Sequence, residues 1–114
     1  MSEAPQNQAR VKALVARIWE QKKHLTLNSV AAIERASSAL IAGLLTPELR
    51  GQAAIESHKL AGALGTFGFP EGSRLSRLME GILTKEADLN CEDGELLAEL
   101  VQQLRRELDS VSSS

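Results

Sequence analysis

Apolar residues recur along the chain at spacings of three and four, which is the period of an amphipathic helix. One stripe lies near the N-terminus and a second follows a phase change in "HLTLNSV", residues 24–30. The phase change predicts two helices, or one kinked helix, up to about Ala42. The first stripe consists of Val11, Leu14, Val15 and Ile18, and the second of Ile33, Leu40, Ile41 and Leu44.

Local stop and start signals bound the next helix. Gly43 predicts the end of the first helical region. In "TPEL", Thr46 is predicted as an N-cap and Pro47 as the first helical residue. This helix is expected to continue to Thr66, because "GFPEG" at residues 68–72 then interrupts it.

Two more amphipathic helices are predicted, separated by the polar connection "ADLNCEDGE" at residues 87–95. Together these segments predict an all-α fold, an antiparallel up-and-down four-helix bundle with an additional N-terminal helix or helix extension. The predicted inner face of the earlier helix comprises Leu75, Leu78, Met79, Ile82 and Leu83. That of the last helix comprises Leu96, Leu97, Leu100, Val101, Leu104 and Leu108.

The length of 114 residues indicates a single domain, 1–114, with residues 1–4 and 110–114 expected to be disordered. The net charge of -2 argues against a general nucleic-acid binder. The sequence shows neither a signal peptide nor an apolar run long enough for a membrane span. A single cysteine, Cys91, permits no internal disulfide, and we therefore expect a cytoplasmic protein.

The helix from Pro47 to Thr66 has an unusual outward face. Taking Leu60 as the centre of its inner stripe, His58 lies about 160° away around the helix. A solvated face normally carries charged residues, but the residues around His58 are uncharged and mostly small. They are Gly51, Ala54, Ile55, Gly62 and Gly65. Either another helix packs closely here and His58 is structural, or a second protein approaches the imidazole.

The stretch "SHKLAGALGTFGFPEGSRL" (residues 57–75) resembles the signature of histidine-containing phosphotransfer (HPt) domains. The family pattern has an apolar residue two positions after the histidine, a basic residue three after it, a glycine four after it, small residues next, and a glycine ten after it. The downstream "GSRLSRLMEGI" is also similar to the next helix of the family. The corresponding positions are His58, Leu60, Ala61, Gly62, Ala63 and Gly68, of which Ala61 departs from the pattern.

The resemblance implies a four-helix phosphoryl carrier without autokinase activity or an ATP site, in which His58 accepts the phosphoryl group. The donor would be a receiver aspartyl phosphate or a histidine kinase, and the acceptor another receiver aspartate. The protein would need no cofactor of its own, since Mg²⁺ is expected from the receiver. It would act as a monomer or as a domain of a larger protein, without nucleic-acid or membrane partners.

Several residues are expected to support His58. Lys59 is the first candidate for the basic group missing at Ala61, and Arg74 and Arg77 are the next. Gly62 and Gly65 would leave room for the phosphoryl group and a partner.

Other residues are assigned structural or incidental roles. His24 is predicted to be a surface histidine. Cys91 is expected to be a poor nucleophile in a polar loop, because Glu92 and Asp93 disfavour a thiolate. Glu56, near the inner stripe, is expected to pair with a basic residue of the first helices or to lie at the wet edge of the stripe.

Two alternative functions remain open from the residues. A helical docking module would bind a signalling partner without phosphotransfer, and Ala61 keeps this alternative open. A catalytic or metal-binding bundle is disfavoured, because two distant histidines and one cysteine provide no ligand set.

Overall fold

The computed structural model describes residues 3–112, and side-chain surroundings are described for residues 8–109. Within that range the chain forms four helices and no strand. Both α1 and α3 pack against α2 and α4, which closes a four-membered bundle. The predicted all-α bundle with an N-terminal helix extension is confirmed. The helices are α1 (Glu3–Ile41), α2 (Pro47–Thr66), α3 (Pro70–Leu83) and α4 (Cys91–Ser112).

The first helical region is one helix of 39 residues, so the two-helix alternative is wrong. At about 1.5 Å per residue, such a helix is about 58 Å long, which matches the 59 Å long axis of the molecule. The phase change reflects a polar residue on the core side. Thr26 is buried, with its Oγ1 lying 3.4 Å from the Lys22 carbonyl oxygen, while Leu25 is half exposed.

The N-terminal part of α1 extends past the end of the bundle. Trp19 is buried against Phe67 and Phe69 of the α2–α3 connection, with ring-centroid distances of 5.7 and 4.8 Å. Beyond this contact the side chains of Val11 and Leu14 are 59% and 54% exposed. The first half of this stripe is uncovered, because no described helix reaches it.

The second stripe is exposed at its end. Ile33 and Leu40 are in the core, whereas Ile41 and Leu44 are exposed. The chain leaves the helix at this point, since Gly43 has a φ of +73° and the Leu44 N–H donates to the Ala39 carbonyl oxygen at 2.7 Å. The predicted role of Gly43 at the end of the first helical region is confirmed.

The boundaries of α2 agree with the sequence prediction. The Leu49 N–H donates to Thr46 Oγ1 at 3.1 Å, which confirms the N-cap. At the other end, Gly68 has a φ of +86° and the Phe69 N–H donates to the Leu64 carbonyl oxygen at 2.8 Å. This reversal leads directly into α3, so α2 and α3 form a tight helical hairpin.

The start of α4 differs from the expectation. The helix begins at Cys91, inside the stretch predicted to be a polar connection. Asn90 and Asp93 cap it reciprocally, because the Asp93 N–H donates to Asn90 Oδ1 and the Asn90 N–H donates to Asp93 Oδ2, both at 2.9 Å. Cys91 is therefore an exposed first-turn residue of a helix rather than a loop residue.

The inner face of α3 is narrower and more polar than predicted. Leu75, Met79 and Leu83 are buried, but Leu78 is 45% exposed. Ser73 and Ser76 are buried in addition, and their hydroxyls donate to the carbonyl oxygens of Ala61 and Gly72. Small hydroxyls satisfied by backbone acceptors allow α3 to approach α2 closely.

The remaining predicted core positions are largely confirmed. On α4, Leu97, Leu100, Val101, Leu104 and Leu108 are buried, while Leu96 is 45% exposed and its placement was wrong. Between residues 3 and 112, no helix is both long and apolar enough to cross a bilayer.

Candidate functional site

His58 lies near the middle of α2 and points away from the bundle. Its side chain is 76% exposed, whereas Ser57 and Leu60 on either side of it are buried. Ser57 tolerates burial because its hydroxyl donates to the Ala53 carbonyl oxygen at 2.9 Å. The imidazole is thus open to solvent, as the helical rotation from Leu60 predicted.

One ring nitrogen of His58 has a partner on the next helix. His58 Nδ1 lies 2.9 Å from Oε2 of Glu80, a residue of α3 whose side chain is 29% exposed. An ionised carboxylate can only accept hydrogen bonds, so Nδ1 carries the proton and donates. In the neutral ring this leaves Nε2 as the atom with a free lone pair.

Glu80 was not singled out from the sequence. The signal that could have indicated it is the short α2–α3 connection. In an antiparallel hairpin, residues at similar distances from the turn lie side by side. His58 lies eight residues before the end of α2 at Thr66, and Glu80 lies ten residues after the start of α3 at Pro70.

The surface beside His58 is open. A Cβ added at Gly62 or at Gly51 would meet no heavy atom within 4 Å. A Cβ at Gly65 would make only an ordinary contact with Ser73 Oγ at 3.6 Å. Ile55, on the same face, is 57% exposed. Among the described residues, no helix packs on Gly62, so close helix packing does not explain the glycine at this position.

The basic side chains expected near His58 have different surroundings. Lys59 Nζ lies 3.3 Å from Glu56 Oε1 on its own helix. Arg74 binds the Glu71 carboxylate through Nε and Nη2, an interaction that lowers the pKa of Glu71. Arg77 is exposed and forms no ion pair or side-chain hydrogen bond within the described part of the chain.

Glu56 lies at the α1–α2 contact and is 12% exposed. Ser29 Oγ of α1 donates to its Oε2 at 2.6 Å, and Gln52 Nε2 donates to its Oε1 at 3.0 Å. The pKa of the Glu56 carboxyl is lowered, mainly by the hydrogen bond from Ser29 and further by Lys59 and Gln52. Burial of the carboxyl has the opposite effect. Of the two alternatives for Glu56, a basic partner from the first helices is wrong, because the partner from α1 is the Ser29 hydroxyl and the cation is Lys59 of α2.

The sequence matches the profile of one known protein family. The profile of the Hpt domain matches residues 25–113. The chain belongs to the Hpt domain family. Hpt domains carry phosphoryl groups between receiver domains and kinases and are not themselves kinases. The match begins after the part of α1 that extends past the bundle.

One curated relative of this Hpt chain is Protein RcaC of Microchaete diplosiphon. The two are 28% identical over 103 residues, which cover 90% of this chain and 16% of RcaC. The chain therefore spans only a small fraction of that relative's length. No solved structure matches the chain significantly.

The other titratable residues considered from the sequence lie outside the α2–α3 hairpin. His24 is exposed on α1, and Cys91 is exposed at the start of α4. Within the described residues, no three His, Cys, Asp or Glu side chains are grouped so that they could hold a metal ion. The arrangement that this Hpt domain offers for chemistry is thus one exposed imidazole, oriented by a carboxylate and bordered by glycine.

Proposed function

We propose that His58 is the phosphoryl acceptor of this Hpt domain. It takes the group from a receiver aspartyl phosphate or from a histidine kinase, and passes it to another receiver aspartate. The observation that carries the proposal is the geometry of the ring, which is 76% exposed and held at Nδ1 by Glu80. This leaves Nε2 available beside the open surface at Gly62.

The transfer step follows from this orientation. The Nε2 lone pair of His58 attacks the phosphorus of the aspartyl phosphate, and an N–P bond forms. The P–O bond to the aspartate breaks, and its electron pair leaves with the carboxylate. The ring keeps the Nδ1 proton and gains one positive charge, which the adjacent Glu80 carboxylate stabilises. Attack by the carboxylate of a second receiver reverses these steps and releases the neutral ring.

Positioning and charge neutralisation dominate the catalysis of phosphoryl transfer. In this proposal the Hpt domain supplies an oriented nucleophile and an accessible surface, and has no cofactor of its own. The receiver supplies the Mg²⁺ that neutralises the phosphoryl oxygens. Such a division of roles accounts for a site that consists of so few residues.

The experiment is phosphoryl transfer from a receiver charged with acetyl phosphate and Mg²⁺. The parent and His24→Gln are expected to gain an acid-labile, alkali-stable phosphate, whereas His58→Gln gains none. The free energy of unfolding of His58→Gln should change by less than about 0.5 kcal/mol, because the exposed ring contributes little to the core. Labelling retained in His58→Gln, or lost in His24→Gln, would place the acceptor elsewhere.

A docking module without phosphotransfer is the second candidate, and Ala61 favours it because the usual basic residue is absent there. The same experiment separates the two functions. A docking module would bind the receiver, as measured by calorimetry, while the parent gains no phosphate.

A further inference from the structure

The Hpt site lacks a basic residue at position 61, yet the phosphoryl group it would receive carries negative charge. Two of the nearby cations are already engaged by carboxylates. Lys59 contacts Glu56 on the far side from α3, and Arg74 is held by Glu71 through two hydrogen bonds. The exposed guanidinium of Arg77 has no such partner among the described residues.

The register of the α2–α3 hairpin places Arg77 beside His58. Ser73 Oγ donates to the Ala61 carbonyl oxygen at 2.7 Å, and Glu80 Oε2 lies 2.9 Å from His58 Nδ1. Arg77 lies between these two contacts along α3. It shares their helix face, because residues three and four apart on a helix are neighbours. Its backbone is therefore next to the segment from His58 to Ala61.

Ala61 fits this arrangement. It is half-buried at the contact between α2 and α3, and its carbonyl oxygen accepts the hydrogen bond from the Ser73 hydroxyl. A small side chain at position 61 leaves room for a long side chain from α3. A Cβ at Gly62 would meet no heavy atom within 4 Å, so the surface beside His58 has room for the guanidinium of Arg77.

We propose that Arg77 supplies, from α3, the positive charge that binds the phosphoryl oxygens on His58, in place of a basic residue at position 61. The inference rests on the proposed function of His58. Arginine suits this role because its planar guanidinium donates two parallel hydrogen bonds to phosphate oxygens. Arg77 takes no part in bond making, and acts by stabilising charge while the phosphoryl group moves to Nε2 and while it resides there.

The test compares Arg77→Gln with the control Arg106→Gln. Arg106 is an exposed arginine of α4, the helix diagonally across the bundle from α2, and both variants change the net charge equally. At saturating phosphorylated receiver, Arg77→Gln is expected to slow transfer roughly tenfold, since charge-assisted hydrogen bonds are partly screened at an exposed site. Arg106→Gln should remain within about twofold of the parent, and Lys59→Gln should lose less than Arg77→Gln.

Three further readouts separate this role from a purely structural or docking role. Affinity for the unphosphorylated receiver should be the same for Arg77→Gln as for the parent, because the charge acts on the phosphoryl group. The phosphate on His58 should have a different half-life in the variant, measured after removal of the receiver. Arg77→Lys should recover most of the rate, since it keeps the charge.

Transfer by Arg77→Gln at the parent rate would overturn the inference while leaving His58 as the acceptor. A larger loss in Lys59→Gln than in Arg77→Gln would also overturn it and assign the charge to α2. Failure of the proposed function gives a different result, because then the parent itself carries no phosphate on His58.

Discussion

Gly62 on the outer face of α2 and Gly94 on α4 are both helical glycines, but their surroundings are opposite. A Cβ at Gly62 would meet nothing within 4 Å. A Cβ at Gly94 would lie 2.9 Å from Ile41 Cγ1 and 3.2 Å from the Ile41 backbone nitrogen. The first glycine keeps a surface open beside His58, and the second lets α1 and α4 approach. The same residue type therefore serves access in one region and packing in the other.

Of the substitutions that test this comparison, Gly62→Gln is expected to cause the largest change, a loss of transfer rate. The added side chain would occupy the space beside His58 and prevent close approach of a receiver, so transfer should fall by about a hundredfold. Thermal stability should hold or rise, because glutamine favours a helix over glycine by several tenths of a kcal/mol. The measurements are transfer rate and thermal midpoint on the same sample. A marked loss of stability would instead show that Gly62 is a packing position.

Gly94→Ala should produce the reverse pattern. The new Cβ crowds Ile41 and Leu40, and overpacking of this kind typically costs about 1–3 kcal/mol. The helix propensity of alanine returns up to about 1 kcal/mol, so we expect a net loss of about 1 kcal/mol in urea unfolding and unchanged transfer. Gly81→Ala is the matched control, since a Cβ there meets nothing within 4 Å and stability should increase. Equal effects of the two substitutions would remove the distinction between packed and open glycines.

Ser29→Ala addresses the α1–α2 contact, where the expected loss of stability is no larger than for Gly94→Ala and depends on pH. Removing the hydroxyl that donates to Glu56 should cost about 1 kcal/mol at neutral pH. The folded-state pKa of Glu56 is lowered, mainly by this hydrogen bond. The carboxylate therefore stabilises the fold above its unfolded pKa of about 4.5, and the contribution is lost as the pH falls through the lower folded value.

Parent and Ser29→Ala should accordingly converge in stability in urea titrations carried into the acid range. A constant difference across pH would mean that the Ser29 hydroxyl contributes independently of the charge on Glu56. Transfer at neutral pH should not change, because Ser29 lies on the side of α2 away from the contact between His58 and Glu80.

Much of the local structure was determined by the sequence itself. Thr46, Gly43 and Gly68 act on the backbone within a few residues of their own position, so the ends of α1 and α2 could be predicted from them. The outward direction of His58 followed in the same way, from a rotation of about 100° per residue relative to Leu60. The motif around it was sufficient to indicate the Hpt family.

Only the tertiary structure decided which side chains meet. The Glu80 contact with His58, the Ser29 contact with Glu56 and the exposure of Val11 depend on helix register and on where each neighbouring helix stops. An apolar stripe shows which face of a helix can be buried, but not whether another helix is long enough to cover it. Likewise, a basic residue near His58 in sequence can be bound by a carboxylate on its own helix, as Lys59 is, while Arg77 of the neighbouring helix has no carboxylate partner in the part of the chain that the structure describes. These contacts form between side chains of different helices. The periodicity of a single helix therefore does not determine them.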